Sequence, residues 1–93
     1  MIKVYGMDTC PYCEYVKPQI ADNAEFVYID IGKNVENLHE FLKLRDHRDE
    51  FTPYKKEGDV GIPCFVREDG SITLEPKEVG LRPLSEAKTC RLD

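Results

Sequence analysis

The sequence predicts an α/β fold in which helices cover both faces of one mixed four-stranded sheet, in the order β-α-β-α-β-β-α. Two observations predict this arrangement. Residues 2–31 hold two β-prone runs separated by a helix-length segment, which indicates a parallel strand pair joined by a helix. Further along, an Asp-Gly pair separates two more β-like runs, as in a hairpin. A chain of 93 residues is sized for a single domain, here residues 1–93.

The first three predicted elements are a strand over residues 2–7, a helix beginning near Cys10 and a strand over residues 25–31. The second strand reads Glu-Phe-Val-Tyr-Ile-Asp-Ile, a nearly continuous apolar run that is typical of a strand covered on both faces. The intervening segment repeats apolar side chains at helical spacing, at Tyr12, Tyr15, Val16 and Ile20. We therefore expect a right-handed βαβ unit.

A second helix is predicted to begin after Asn34, whose side chain suits the N-cap position, and to run to about Arg45. Its apolar stripe is formed by Val35, Leu38, Phe41 and Leu42. The charged stretch that follows contains a candidate short helix at about residues 53–57, because a Thr-Pro pair resembles its start and Gly58 its end.

The predicted hairpin joins a strand over residues 64–68 to a strand over residues 71–75. Asp69 and Gly70 would form a type I′ turn, which requires a positive φ at both central positions. This antiparallel pair would extend the sheet that the parallel pair begins. A last short helix is predicted over residues 83–88.

Composition restricts the partners and the compartment. The net charge is −5 and the pI is near 5.0, whereas a nucleic-acid partner would require a clustered basic face. The chain has no run near the roughly 20 apolar residues of a membrane-spanning helix and no visible signal peptide. We therefore expect a cytoplasmic monomer with no membrane partner. In that reducing compartment, a close cysteine pair favours a catalytic, redox-sensing or metal-binding role over a structural disulfide.

A Cys-Pro-Tyr-Cys tetrapeptide stands where the first strand leads into the first helix. If Cys10 is the N-cap residue, Pro11 takes the first helical position, where its missing N–H has no helical partner to lose. The backbone amides of Tyr12 and Cys13 then point back toward the Cys10 sulfur. Those donors and the helix dipole favour the thiolate, which is the form that attacks disulfides. Cys10 is therefore the predicted nucleophile, with a lowered pKa.

Cys13 follows on the same helical face, one turn further in. We expect it to displace the product from the mixed disulfide that Cys10 forms. Asp8 would oppose the Cys10 thiolate if its carboxylate pointed inward. Two other interpretations of the pair stay open. It could be half of a zinc site, which would need a second close pair of ligands, or two inert core cysteines.

The strand, the Thr-Cys-Pro-Tyr-Cys segment and the amphipathic helix resemble the glutaredoxins, which have a thioredoxin-like fold. Gly61-Ile62-Pro63, followed by a strand, is similar to the family segment that carries a cis-proline facing the redox pair. The resemblance implies that Pro63 is cis and that the Ile62 backbone is exposed for strand-like pairing with a substrate. Tyr12, within the motif, would pack against a bound thiol ligand or cover the helix end.

The sequence departs from the glutaredoxin pattern where that family binds glutathione. Met7-Asp8-Thr9 lacks the lysine that many glutaredoxins carry before the motif, and residues 76–81 lack a Gly-Gly pair followed by acidic residues. Glutathione or another thiol therefore remains open as the co-substrate. Cys64, directly after Pro63, has two interpretations: a small buried strand residue, or a third thiol that traps or relays a disulfide.

The resemblance implies an enzyme, a dithiol thiol–disulfide oxidoreductase that reduces protein disulfides or glutathione mixed disulfides. It implies no bound cofactor, and a thiol or a flavoprotein would return the electrons. Two alternatives belong to other classes of protein. One is a module that binds a metal ion or an iron–sulfur cluster, and the other is an adaptor whose redox pair switches its binding to a partner.

Overall fold

The computed structural model describes residues 1–83 of the chain. The strands are β1 (Ile2–Gly6), β2 (Phe26–Asp30), β3 (Cys64–Val66) and β4 (Ile72–Thr73). The helices are α1 (Pro11–Ile20), α2 (Val35–Arg45) and α3 (Thr52–Lys56), with short 3-10 turns at Asp49–Phe51 and Pro76–Val79. Apart from Pro83, the helix predicted over residues 83–88 lies outside the described residues, as does Cys90.

The strands form one mixed sheet in the order β2-β1-β3-β4. β1 runs parallel to β2, with α1 as the connection between them, whereas β1 and β3, and β3 and β4, are antiparallel. The predicted α/β class, the mixed four-stranded sheet and the hairpin are thus confirmed. Because β1 is an inner strand, the loop after its last residue, Gly6, carries the chain from the middle of the sheet to the start of α1.

The hairpin differs from the prediction in its turn and in the length of its strands. Gly70 has a φ of +88°, but no described residue other than glycine has a positive φ, so the type I′ turn at Asp69 is wrong. Instead, the Gly70 N–H donates to the Arg67 carbonyl at 2.9 Å, and the Arg67 N–H donates to the Ser71 carbonyl at 2.9 Å. The Asp69 carboxylate accepts from the Ser71 N–H at 2.9 Å and stabilises this longer turn. The loop therefore takes residues 67–71, and both strands are shorter than predicted.

Two apolar clusters lie against the sheet, and they show that helices cover both faces. Consecutive residues of a strand point to opposite faces. Val4 accordingly packs with Val16 of α1, whereas Tyr5 packs with Phe41 of α2. On this second face the Phe41 ring lies 5.9 Å from that of Tyr5 and 5.8 Å from that of Phe51, between centroids. The packing of α1 fixes its position on the sheet, and with it the position of its N-terminus.

The N-cap predicted for α2 is confirmed, because the Asn34 side chain accepts a hydrogen bond from the Asn37 N–H at 2.8 Å. The predicted apolar stripe is wrong at Val35, which is 70% exposed, and reaches the core only from Leu38 onward. α3 begins one residue earlier than predicted, at Thr52. Within residues 1–83, no helix is both long enough and apolar enough to cross a membrane.

Candidate active site

A groove of about 560 Å³ opens beside the N-terminus of α1. Five residues that the sequence predicts for the site line it, namely Cys10, Pro11, Tyr12, Ile62 and Pro63. The Cys-Pro-Tyr-Cys motif and the Gly-Ile-Pro loop are far apart in the chain, but they face the same space. The sheet brings them together, since the motif follows β1 and the loop precedes β3, its antiparallel neighbour.

Cys10 occupies the N-cap position of α1, as predicted. Its backbone is extended, with a φ of −91° and a ψ of 120°, and Pro11 takes the first helical position. The Cys10 carbonyl accepts the first helical hydrogen bond, from the Glu14 N–H at 2.9 Å. The side chain is half-buried at the groove, and its sulfur does not accept an N-cap hydrogen bond of normal distance and angle from the helix backbone. The sulfur thus stands at the helix N-terminus, within reach of solvent and of a ligand in the groove.

The pKa of Cys10 is lowered from an ordinary value of 9.0 to about 6. The largest cause is a hydrogen bond from the Cys13 thiol, and the backbone amides of Cys13 and Tyr12 act in the same direction. Partial burial and the charge of Glu14 oppose the shift without cancelling it. The predicted helix-terminus amides therefore contribute, but the neighbouring thiol contributes more than they do.

Cys13 is fully buried one turn into α1 and does not line the groove. Its pKa is raised, because its hydrogen bond to Cys10 stabilises the protonated thiol and burial disfavours a charge. At neutral pH the pair therefore carries one negative charge, and it lies on Cys10, the residue that faces the groove. The sequence prediction of an accessible nucleophile with a buried second thiol behind it agrees with this placement.

Gly6, the last residue of β1, leaves the space in which the Cys13 sulfur sits. A Cβ at Gly6 would stand 3.0 Å from the Cys13 sulfur and 2.7 Å from the Tyr28 hydroxyl. That hydroxyl is buried and has no hydrogen-bond partner within residues 1–83. Burial is the largest cause that raises the Tyr28 pKa, so the hydroxyl stays protonated. Sequence analysis missed both residues, although a glycine inside a strand is a signal of such a close approach.

Asp8, a predicted opponent of the Cys10 thiolate, is turned toward another partner. Its carboxylate accepts a hydrogen bond from the Lys17 ammonium at 2.8 Å, on the surface. The same ammonium lies 4.9 Å from the centroid of the Tyr28 ring, within range of a cation–π contact. The carboxylate that raises the Cys10 pKa is instead that of Glu14, in the first turn of α1.

The loop on the other side of the groove contains a cis peptide bond between Ile62 and Pro63, as the resemblance implies. Gly61, just before it, has a φ of +93°, and a Cβ there would lie 2.8 Å from the Phe51 ring. Backbone conformation and packing therefore both require glycine at this position. Pro63 is buried and Ile62 is half-buried, so the loop is anchored in the core while Ile62 borders the groove.

Arg45, at the end of α2, fixes the part of this loop that comes earlier in the chain. Its Nε donates to the Val60 carbonyl at 2.7 Å, and its Nη2 donates to the Asp59 carbonyl at 2.6 Å. A charged donor makes stronger hydrogen bonds than a neutral one, so these two bonds hold the wall of the groove in place. Sequence spacing carries no signal for this role, because main-chain carbonyls are the acceptors.

Cys64 is buried at the start of β3 and packs in the cluster that contains Tyr5 and Phe41. Burial raises its pKa to about 12, which keeps it a neutral thiol at physiological pH. It does not line the groove. Its placement is that of a buried strand residue, and its participation as a third thiol stays a prediction.

The three cysteines within residues 1–83 are free thiols, so the site is described in its reduced form. In the same range, no group of three or more His, Cys, Asp or Glu side chains is arranged to hold a metal ion. At the groove, the described residues place the Cys10 sulfur at a helix N-terminus with the Cys13 thiol behind it.

No protein-family model matches this chain, and no solved structure matches it. A protein of Haemophilus influenzae, described only as an uncharacterized protein, is 28% identical over 76 residues, which is 77% of this chain and 85% of that protein. The similarity extends over most of both chains, but the description of that protein gives no activity.

Proposed function

We propose that this protein is a thiol–disulfide oxidoreductase of glutaredoxin-like type and thioredoxin-like fold, with Cys10 as its nucleophile and Cys13 as its resolving thiol. One observation carries the proposal. Cys10 stands at the N-terminus of α1 and lines the groove, where a thiolate is stabilised, while Cys13 is fully buried one turn behind it and is held as a neutral thiol. A structural or purely packed cysteine pair has no need of such a difference.

In the first step, the Cys10 thiolate attacks one sulfur of a substrate disulfide. A Cys10–substrate disulfide forms, the substrate S–S bond breaks, and the second substrate sulfur leaves as a thiolate that takes a proton from water. In the second step, Cys13 loses its proton to solvent or to a departing thiolate and attacks the Cys10 sulfur. The Cys10–Cys13 disulfide forms as the Cys10–substrate S–S bond breaks, and the remaining substrate sulfur leaves as a thiolate that takes up a proton.

The wall formed by Ile62 and Pro63 serves to position the substrate. Ile62 borders the groove that also holds Cys10, and the loop is fixed by the burial of Pro63 and by the requirement for glycine at Gly61. An extended substrate segment that pairs with the Ile62 backbone would lie along this wall and present its disulfide to the thiolate. Tyr12, which is 45% exposed at the rim, would cover the bound segment.

The catalytic cycle needs two electrons for each turnover, and these come from outside the chain. A thiol such as glutathione or a flavoprotein reductase would reduce the Cys10–Cys13 disulfide, which suits a cytoplasmic protein because that compartment maintains both kinds of reductant. The reductant does not have to be the species that the groove recognises as substrate.

The test is reduction of a protein disulfide such as that of insulin, coupled in parallel to glutathione with glutathione reductase and to thioredoxin reductase. The proposal predicts turnover in at least one of the two systems, and loss of that turnover in Cys10→Ser. Cys90→Ser is the matched control, since it removes one thiol but leaves the motif intact. Turnover retained in Cys10→Ser, or absent from the parent protein in both systems, would contradict the proposal.

A further inference from the structure

We infer that the groove recognises a disulfide on an apolar polypeptide segment flanked by Lys or Arg, and disfavours anionic thiols and disulfides such as those of glutathione. This inference rests on the proposed function and specifies its substrate class. The observation behind it is the composition of the groove walls, which are apolar and carry carboxylates as their charged side chains.

Apolar side chains form most of the surface that a substrate would meet. Val60 and Tyr12 are 48% and 45% exposed, which is a large fraction for side chains of their size and kind, and both line the groove. Ile62 and Leu74 border it as half-buried side chains. An apolar side chain next to the substrate cysteine would cover these surfaces and remove them from water.

The charged residues that line the groove are Asp59 and Glu75, and no Lys, Arg or His among residues 1–83 lines it. The two carboxylates act on the same part of the groove. Burial is the largest cause that raises the pKa of Tyr54, and the charges of Glu75 and Asp59 are the other two causes. Tyr54 also lines the groove. Together with the Cys10 thiolate, these carboxylates make every charged group among the described residues that line the groove negative.

Two cations of neighbouring elements have their partners outside the groove. Arg45 lies behind the wall and directs its guanidinium to the carbonyls of Asp59 and Val60, where it fixes the loop. Lys17 pairs with Asp8 on the surface. Neither lines the groove, so neither offers a partner to a ligand carboxylate there.

Glutathione carries two carboxylates and one ammonium, and its disulfide carries twice as many. In water, two opposite unit charges about 4 Å apart strengthen a binding equilibrium constant by on the order of fivefold, and two like charges weaken it by the same factor. Two carboxylates in the groove would therefore separate a basic from an acidic ligand by roughly tenfold or more at low ionic strength. The preference should fade with salt, since the Debye length falls from about 30 Å at 0.01 M to about 3 Å at 1 M.

The experiment uses two peptides of equal length that carry one cysteine activated as a mixed disulfide with thiopyridine. Leucine flanks the cysteine in both, and the outer residues are lysine in one peptide and glutamate in the other. When the Cys10 thiolate attacks the peptide sulfur, thiopyridone leaves and its absorbance reports the rate. The reduced full-length protein is used, with a short unstructured cysteine peptide as the reference thiol that measures the intrinsic reactivity of each probe.

The expected result is that the protein, relative to the reference thiol, reacts about tenfold faster with the lysine peptide than with the glutamate peptide at low salt. The difference should shrink severalfold at high salt and in the variant Asp59→Asn, Glu75→Gln. The control variant Asp22→Asn, Glu25→Gln changes the net charge by the same amount at two exposed positions outside the groove, and it should keep the preference. Glutathione disulfide should behave like the glutamate peptide.

Each other outcome overturns the inference in an identifiable way. Fast but equal reaction with both peptides would refute the substrate class and leave the thiol chemistry standing. A preference that both double variants lose equally would assign it to overall charge and not to the groove. If neither peptide reacts faster than with the reference thiol, the proposed nucleophile itself fails, and the substrate class falls with it.

Discussion

Cys10 and Cys13 are the same residue type, three positions apart, and the structure gives them opposite properties. Cys10 faces the groove at the helix N-terminus, and its pKa is lowered to about 6. Cys13 is fully buried behind it, and its pKa is raised. The difference comes from geometry and not from composition, because the same hydrogen bond that stabilises the thiolate on Cys10 stabilises the proton on Cys13. The helix-terminus amides at Cys10 and the deeper burial of Cys13 together leave the charge on Cys10.

A low pKa at Cys10 accelerates its own attack only modestly. Relative to a thiol with a pKa of 9.0, a pKa of about 6 raises the thiolate fraction at pH 7 by about 90-fold. Intrinsic nucleophilicity falls at the same time by roughly 16- to 32-fold, given a Brønsted slope of about 0.4–0.5. The net gain is about threefold to sixfold. A low pKa helps further when an external thiol attacks the other sulfur of a Cys10 mixed disulfide, because Cys10 is then the leaving group and leaves faster.

Removal of Cys13 should have the largest effect, because it takes away both the resolving thiol and the donor to Cys10. Turnover with a protein disulfide should fall by at least about a hundredfold in both Cys13→Ser and Cys13→Ala, since neither can resolve the mixed disulfide. The two variants should differ in the pKa of Cys10. Serine keeps a hydroxyl donor and should hold that pKa below 9.0, whereas alanine removes the largest cause of the shift. Thiolate absorbance against pH measures it, and an equal Cys10 pKa in parent and Cys13→Ala would contradict the role of the thiol donor.

The pH dependence of the parent protein tests the lowered pKa of Cys10 without any substitution. The rate of alkylation of Cys10 should rise with pH, reach half its maximum near pH 6 and stay flat above about pH 8. Because the folded pKa lies below the unfolded value, the reduced protein should lose free energy of unfolding as the pH falls from 9 to 6. The raised pKa of Cys13 opposes this trend only above about pH 8, where its thiol begins to ionise in the unfolded chain but not in the folded one. Denaturant unfolding of the parent and of Cys10→Ser measures the contribution, and a half-maximal rate near pH 9 would refute the lowered pKa.

Gly6 offers a third test, because it supplies the space behind the buried sulfur. Gly6→Ala should lower the free energy of unfolding by about 1–3 kcal/mol, since the new methyl group would press on the Tyr28 hydroxyl and the Cys13 sulfur. Gly32→Ala is the matched control: its nearest neighbour, at 3.2 Å, is in the flexible side chain of Met7, so a smaller loss is expected. Equal losses in the two variants, measured by urea unfolding, would show that the close contacts at Gly6 do not require glycine more than those at Gly32 do.

Much of this arrangement could be predicted from the sequence, because it depends on local rules. Pro11 after an N-cap residue fixes the start of α1, and Asn34 fixes the start of α2, each through contacts within one helical turn. The Asp69 prediction was wrong for a related reason. An Asp-Gly pair is compatible with several turns, and the bonds from Ser71 to Asp69 decide among them.

The features that the sequence did not reveal are long-range. Arg45 binds carbonyls of the groove wall from a different helix, and carbonyls carry no residue identity that a pattern could match. Tyr28 stands in the nearly continuous apolar run of β2 like any core residue, so its unpartnered hydroxyl is visible only once β1 and α1 are packed against it. The roles of the two cysteines were predictable from the motif, whereas the large effect of the hydrogen bond between them on the Cys10 pKa was not.

Tyr28 gives the smallest expected effect and the finest test of the buried side. Its hydroxyl is desolvated without a hydrogen-bond partner in residues 1–83, which costs stability, so Tyr28→Phe should raise the free energy of unfolding by about 1 kcal/mol. The ring, and its contact with the Lys17 ammonium, would be kept. A loss of stability in Tyr28→Phe would instead mean that the hydroxyl donates to a group in its surroundings, and the Cys13 sulfur, which shares its space at Gly6, is the acceptor to examine. Comparing the variant in the parent and in Cys13→Ser would decide this, because a hydrogen bond to that sulfur makes the two effects non-additive.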